Sequence, residues 1–193
     1  MSRKFFVTLI LILFLLPFVS WYYLNSGLTW RKKAQEKMNG TDPFPTGEWI
    51  DNSKNNLTSA SLSDYVTLVT RIDCELSSEL SSTLEQFYDQ FKETKKAAYI
   101  ILDECGKDSL TYTDAAKQTW YVFSCGDSTG LCDRLLKNWP SGATHALVDR
   151  NHLIRSYYAS TTRDEKRILL EHMALLLPRE RSEKVELKRG NQK

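Results

Sequence analysis

The distribution of hydrophobic and polar positions divides the chain into regions of different character. Residues 5–24 are an uncharged run, FFVTLILILFLLPFVSWYYL, and residues 25–43 form a polar, basic connector closed by the breaker-rich stretch Asn39-Gly40-Thr41-Asp42-Pro43. Residues 44–62 lack a sustained period and read as loop with a small hairpin. Beyond them the pattern becomes regular. Residues 65–71 (YVTLVTR) are β-branched, aromatic and short, which predicts a strand. Leu76, Leu80, Leu84, Phe87 and Phe91 then recur at helical spacing on one face.

Residues 97–103 (AAYIILD) and 119–124 (TWYVFS) are near-continuous apolar runs, as expected of parallel strands covered on both faces. A short helix is expected between them. Residues 129–139 predict a helix stopped by Pro140-Ser141-Gly142. Residues 145–149 and 153–158 predict a hairpin around Arg150-Asn151. Thr161 or Thr162 can cap a last helix that carries Leu169, Met173 and Leu176 on one face and ends at Pro178. The order β-α-β-(short helix)-β-α-β-β-α indicates an α/β fold, a mixed sheet with helices on both faces. Residues 179–193 are a charged tail with little apolar content.

Charge and composition then narrow the function. The chain has 193 residues, 41% hydrophobic and 26% charged, with a net charge of +2. That balance, without a Lys/Arg stripe interleaved with aromatics, excludes nucleic acid as the expected partner. Twenty residues at about 1.5 Å each match the ~30 Å hydrocarbon core, so 1–25 are read as a transmembrane anchor, with Trp21, Tyr22 and Tyr23 in the interfacial belt. A cleaved signal peptide is the rival. Its apolar stretch should be shorter and end in a small-x-small site, which Tyr23-Leu24-Asn25-Ser26-Gly27 does not supply. The expected domains are the anchor (1–25), a juxtamembrane linker (26–43), a globular domain (44–178) and a flexible tail (179–193).

Three stretches resemble the Sco/SenC branch of the thioredoxin-like superfamily. They are Val66-Thr67-Leu68-Val69-Thr70-Arg71-Ile72-Asp73-Cys74, a strand followed by a cysteine; Tyr99-Ile100-Ile101-Leu102-Asp103-Glu104, a strand ending in an acidic turn; and 146–158 (ALVDRNHLIRSYY), similar to the family's LVD-x-x-G-x-IRGYY hairpin. The resemblance implies a thioredoxin-like fold and a membrane-anchored factor that assembles the copper site of cytochrome oxidase. The family carries two cysteines separated by three residues. Here the first is Cys74, and the second position is Ser78. The family's remote histidine ligand falls among 140–143, and His145 is the nearest candidate. The proline that precedes this strand in redox-active thioredoxins would align near Ala143 or Thr144.

If that topology holds, Cys74, Cys105 and Cys125 leave one carboxyl edge of the sheet and Cys132 returns to it. Ligands of open α/β sheets gather outside such strand ends. A cysteine at a helix amino end favours its thiolate, although Asp73 and Glu75 flank Cys74 and oppose this. Cys74 and Cys105 are the candidate redox pair. Cys74, Cys105 and His145 are a weaker candidate copper set, since thiolate and imidazole suit Cu(I). Cys125 and Cys132, which enclose six residues including two glycines, are disulfide candidates. Four cysteines allow three pairings, and the spacing does not choose among them.

Two functions follow. One is a Sco-like thiol- or copper-handling factor in oxidase assembly, at most a thiol–disulfide oxidoreductase, whose partners are the membrane and a cytochrome oxidase subunit or other membrane complex. The other is a redox-inactive thioredoxin-fold interaction module with structural disulfides. Four cysteines in a small domain fit an oxidising compartment. The expected placement is therefore the inner membrane, with the N-terminus cytoplasmic and the domain periplasmic, although Arg31, Lys32, Lys33 and Lys37 follow the span. His152 and His172 read as surface residues.

Overall fold

A computed structural model describes residues 3–51, 54–73, 77–94, 96–104, 120–125, 130–159 and 162–178, without the side chains of 3–12, 77–79 and 81. The short helix expected between residues 103 and 119 lies outside the described residues, as does the 179–193 tail. The chain forms two units, Met1–Gly40 and Thr41–Lys193.

The first unit is one α-helix, α1 (Arg3–Lys37), with Pro17 inside it. The helix therefore runs on through most of the basic stretch read as a linker. From Leu13 to Leu28 its large apolar side chains are exposed on every side, Phe18 at 69% and Tyr23 at 74%. Among the described residues, no helix is long and apolar enough to cross a membrane.

The second unit is built on a six-stranded sheet in the order β1-β8-β7-β4-β5-β6. Its strands are β1 (Asp42–Pro43), β4 (Val66–Ile72), β5 (Ala97–Asp103), β6 (Trp120–Ser124), β7 (His145–Val148) and β8 (Leu153–Tyr158). A separate hairpin joins β2 (Glu48–Ile50) to β3 (Asn56–Thr58) and presents Trp49 and Leu57, register partners, to the core. The β4, β5 and β6 strands are parallel, and β7 and β8 return antiparallel. Asp42-Pro43, read as a breaker, pairs with β8 at the sheet edge, where a proline costs no ladder bond, and Phe44 beside it is buried.

Alternation along β4 and β5 feeds two cores. Val69, Ala98, Ile100 and Leu102 pack with Phe123, Ala146 and Val148 and with Leu131 and Leu135 of α3 (Gly130–Leu136). On the other face lie Tyr99 and His145, met by Tyr88 and Phe87 of α2 (Ser77–Phe91). Helix α4 (Arg163–Leu176) covers the same face, where His172 meets Tyr158. Of the predicted apolar stripe, Leu80, Leu84, Phe87 and Phe91 form the buried face of α2, and Leu76 lies outside the described residues. Of the two threonines, Thr162 is the cap of α4. Its Oγ1 accepts from Glu165 N–H at 3.2 Å, while the Glu165 carboxylate accepts from Thr162 N–H at 3.2 Å. This reciprocal capping box stabilises the helix by about 1 kcal/mol.

Candidate functional site

Parallel pairing of β4, β5 and β6 sets three strand ends side by side. Ile72 is the register partner of Asp103, and Asp103 that of Ser124. Backbone bonds continue one step further: Glu104 N–H donates to Ile72 C=O at 3.1 Å and Cys125 N–H to Asp103 C=O at 2.8 Å. The Arg71 guanidinium spans the first pair of ends. Its Nε and Nη2 donate to the two Glu104 carboxylate oxygens at 2.7 and 3.0 Å. The bond to Glu104 raises the Arg71 pKa against the opposing effect of burial. Cys74 stands two positions after Ile72 in the sequence, and Cys105 two after Asp103. Both cysteines lie outside the described residues.

Cys125 and Cys132 are joined by a disulfide, with Cα atoms 5.5 Å apart. The bridge ties the end of β6 to the first turn of α3. Its two sulfurs differ in setting: Cys132 is buried at 1% exposure within the α3-side core, whereas Cys125 is only partly covered.

His145 opens β7 and is fully buried. Its ring meets Phe87 edge-on, with centroids 5.9 Å apart, and its Nδ1 is 2.8 Å from Thr144 Oγ1. Burial, with the positive charge of Lys166, lowers its pKa to about 3, so the imidazole is neutral. It pairs across the ladder with Thr70, four residues before Cys74. His172, expected at the surface, is instead buried at 4% exposure and takes part in a 2.7 Å hydrogen bond between its Nδ1 and the Tyr158 hydroxyl. Its position three residues after Leu169 puts it on the buried face of α4. His152 is part-exposed and occupies the hairpin turn with φ +59°.

The β7–β8 hairpin is organised by Asp149. Its Oδ1 accepts from the backbone N–H of Asn151 and Leu153 at 2.8 and 3.0 Å, and its Oδ2 accepts from Arg155 Nε at 2.7 Å. Burial alone would raise the carboxyl pKa. The two amides and the Arg155 cation outweigh it and hold the group below the usual carboxylate range. Asp103 is buried at the carboxyl edge. Among the described residues, no three His, Cys, Asp or Glu side chains are grouped to hold a metal ion.

Solved structures of other proteins share this architecture. A thiol:disulfide interchange protein of the thioredoxin family from Chlorobium tepidum TLS matches with a TM-score of 0.55 at 12% identity, over 72% of this chain and 97% of that one. The fold is thioredoxin-like. A SCO1/SenC family lipoprotein from Bacillus anthracis str. Ames matches with a TM-score of 0.52 at 13% identity, over 72% of this chain and 96% of that one. The thioredoxin domain of a thiol-disulfide oxidoreductase from Bacteroides vulgatus matches with a TM-score of 0.52 at 14% identity, over 72% and 98%. No protein-family profile matches the sequence, and no curated protein does.

Within this thioredoxin-like frame, the sequence had signalled less of the polar chemistry than of the strands. Thr70 alternates with Leu68 and Ile72 at inward positions, where its β-branched side chain reads in the sequence only as strand propensity. The Arg71–Glu104 pair carries no sequence signature, because thirty-three positions separate its partners.

Proposed function

We propose that this chain is a membrane-tethered thioredoxin-fold protein that handles thiols, and through them copper, in the assembly of a respiratory oxidase. Cys74 and Cys105 are its working pair, and its globular domain lies on the periplasmic side of the inner membrane. One observation carries the reading. The β4–β5 register brings the two strand ends together, the Arg71–Glu104 ion pair clasps them, and each end leads within two residues to one of these cysteines. The similarity to thiol:disulfide interchange proteins and to a SCO1/SenC lipoprotein supports the same chemistry. The tether is supported by the uncharged run 5–24 within α1, with aromatic residues at 21–23 and the large apolar side chains from Leu13 to Leu28 exposed. Such a helix needs either a protein core or a bilayer around it.

A second reading, a redox-inactive interaction module, is favoured by Ser78 at the family's second cysteine position and by the bridged Cys125–Cys132 pair. Mass-tagged thiol counting on the full chain in detergent, across buffered glutathione potentials, separates the two. The proposed pair requires two thiols that open and close reversibly and are lost in both Cys74→Ser and Cys105→Ser, together with anaerobic Cu(I) binding that Cys74→Ser abolishes. Unchanged thiol counts across all potentials, with equal copper binding by wild type and variant, would leave the inactive module. A membrane-impermeant label on a cysteine introduced at exposed Asp64 tests the side of the membrane.

A further inference from the structure

A hydroxyl and one nitrogen of an imidazole lack a hydrogen-bond partner among the described residues. Thr70 and His145 are register partners on β4 and β7, each at 0% exposure. The Arg71 N–H donates to Thr144 C=O at 2.9 Å. That bond makes Thr70–His145 a non-hydrogen-bonded pair of the antiparallel ladder, the kind whose Cα atoms are about 4.5 Å apart and whose side chains are closest. Yet among the described residues Thr70 Oγ1 and His145 Nε2 are both without a hydrogen-bond partner. One unmet buried polar atom is costly. Two of them on facing residues call for a common explanation.

The tautomer of the ring follows from its other nitrogen. The Thr144 hydroxyl has one proton, and it donates that proton to the Ala159 carbonyl, with the Tyr158 carbonyl also within 3.4 Å. With its proton so placed, Thr144 Oγ1 meets His145 Nδ1 as an acceptor, and Nδ1 carries the hydrogen. Nε2 is then a bare lone pair. Opposite it, the Thr70 hydroxyl is a donor with nothing to donate to. Donor and acceptor sit on adjacent residues, share one face of the sheet and do not bond each other. A single water molecule has the valence to join them, making two of the 2–4 bonds typical of buried waters.

We propose that Thr70 and His145 hold one buried water molecule on the α2 face of the sheet, which accepts from the Thr70 hydroxyl and donates to the bare Nε2 of His145. The site stands apart from the thiol chemistry proposed above and uses only atoms of β4 and β7. It lies beside Phe87 of α2, so the water exchanges with solvent only when that packing opens. It makes His145 a fixed-tautomer hydrogen-bond acceptor rather than a surface-like titrating group.

The test is side-chain NMR of the full chain in detergent micelles with 15N-labelled histidine. His152→Gln and His172→Gln spectra assign the His145 signals. The expected result is a protonated Nδ1 and an unprotonated Nε2, with a water cross-peak to the His145 ring protons. That cross-peak is lost in Thr70→Val and retained in Thr70→Ser. A protonated Nε2, or a Thr70 hydroxyl cross-peak to the ring with no water signal, would overturn the site. The wild-type spectrum alone decides this should Thr70→Val fail to fold.

Discussion

Arg71 and Glu104 form a two-point ion pair across the ends of β4 and β5, Nε–Oε1 2.7 Å and Nη2–Oε2 3.0 Å. Parallel fork-to-fork geometry is the strong form of this contact. Both side chains remain about a third to a quarter exposed, 33% and 26%, so solvent screens much of the attraction. Arg71→Met should lower the unfolding free energy by about 1 kcal/mol at low salt, read from the urea midpoint, and by less in molar salt. A salt-independent loss would mean that packing of the arginine stem, not charge, holds the strand ends.

The strands were legible because their burial is one-dimensional. Residues 97–103 are buried throughout, and a continuous apolar run announces that directly. The stripe on α2 was equally plain and the cap of α4 was narrowed to Thr161 or Thr162, since both depend on fixed local spacing. Features that depend on distant partners were not. Asp42-Pro43 reads as a turn, and only its pairing with Leu153 and Ile154 makes it an edge strand. His172 looks polar, and only the Tyr158 hydroxyl across the core explains its burial. Cysteine spacing made Cys125 with Cys132 sterically reasonable without choosing among the possible pairings, because sulfur partners are fixed by the assembled sheet and not by the chain.

Buried His145 should make the domain acid-sensitive. Its pKa is about 3 in the folded protein and near 6.5 in the unfolded chain. Between those values the unfolded chain binds more protons. Stability is therefore full above about pH 6.5 and falls as pH drops toward 3, by at most about 1.4 kcal/mol per pH unit from this group. Urea midpoints measured from pH 7 to 4 should show this slope, and His145→Gln should flatten it. An unchanged slope in the variant would assign the acid sensitivity to carboxylates instead.

Tyr158 carries the opposite sign at alkaline pH. Burial raises its phenol pKa to about 12, with a smaller opposing pull from Ser156. The unfolded value is near 10, so stability from this group is present below pH 10 and is lost as pH rises toward 12. Tyr158→Phe removes the 2.7 Å bond to His172 and should cost about 1–2 kcal/mol at pH 7. The same change should weaken the dependence of the unfolding midpoint on pH between 10 and 11. Equal stability of variant and wild type at pH 7 would show that the hydroxyl–imidazole bond adds nothing beyond ring packing.

The Cys125–Cys132 bridge offers two unequal sulfurs to a reductant. Closing so short a loop stabilises the folded state by about 2.5 kcal/mol in the chain-entropy account, and Cys132→Ser should lose roughly that amount. Attack needs an approaching thiolate, which Cys125 admits and Cys132, at 1% exposure in the core beside α3, does not. The incoming thiol therefore bonds Cys125, and the electron pair of the broken S–S bond leaves on Cys132. Under limiting glutathione with an acid quench, mass spectrometry should find the mixed disulfide on Cys125. Adducts found equally on both sulfurs would mean that α3 opens before reduction, and the bridge would then report helix opening instead of protecting a closed core.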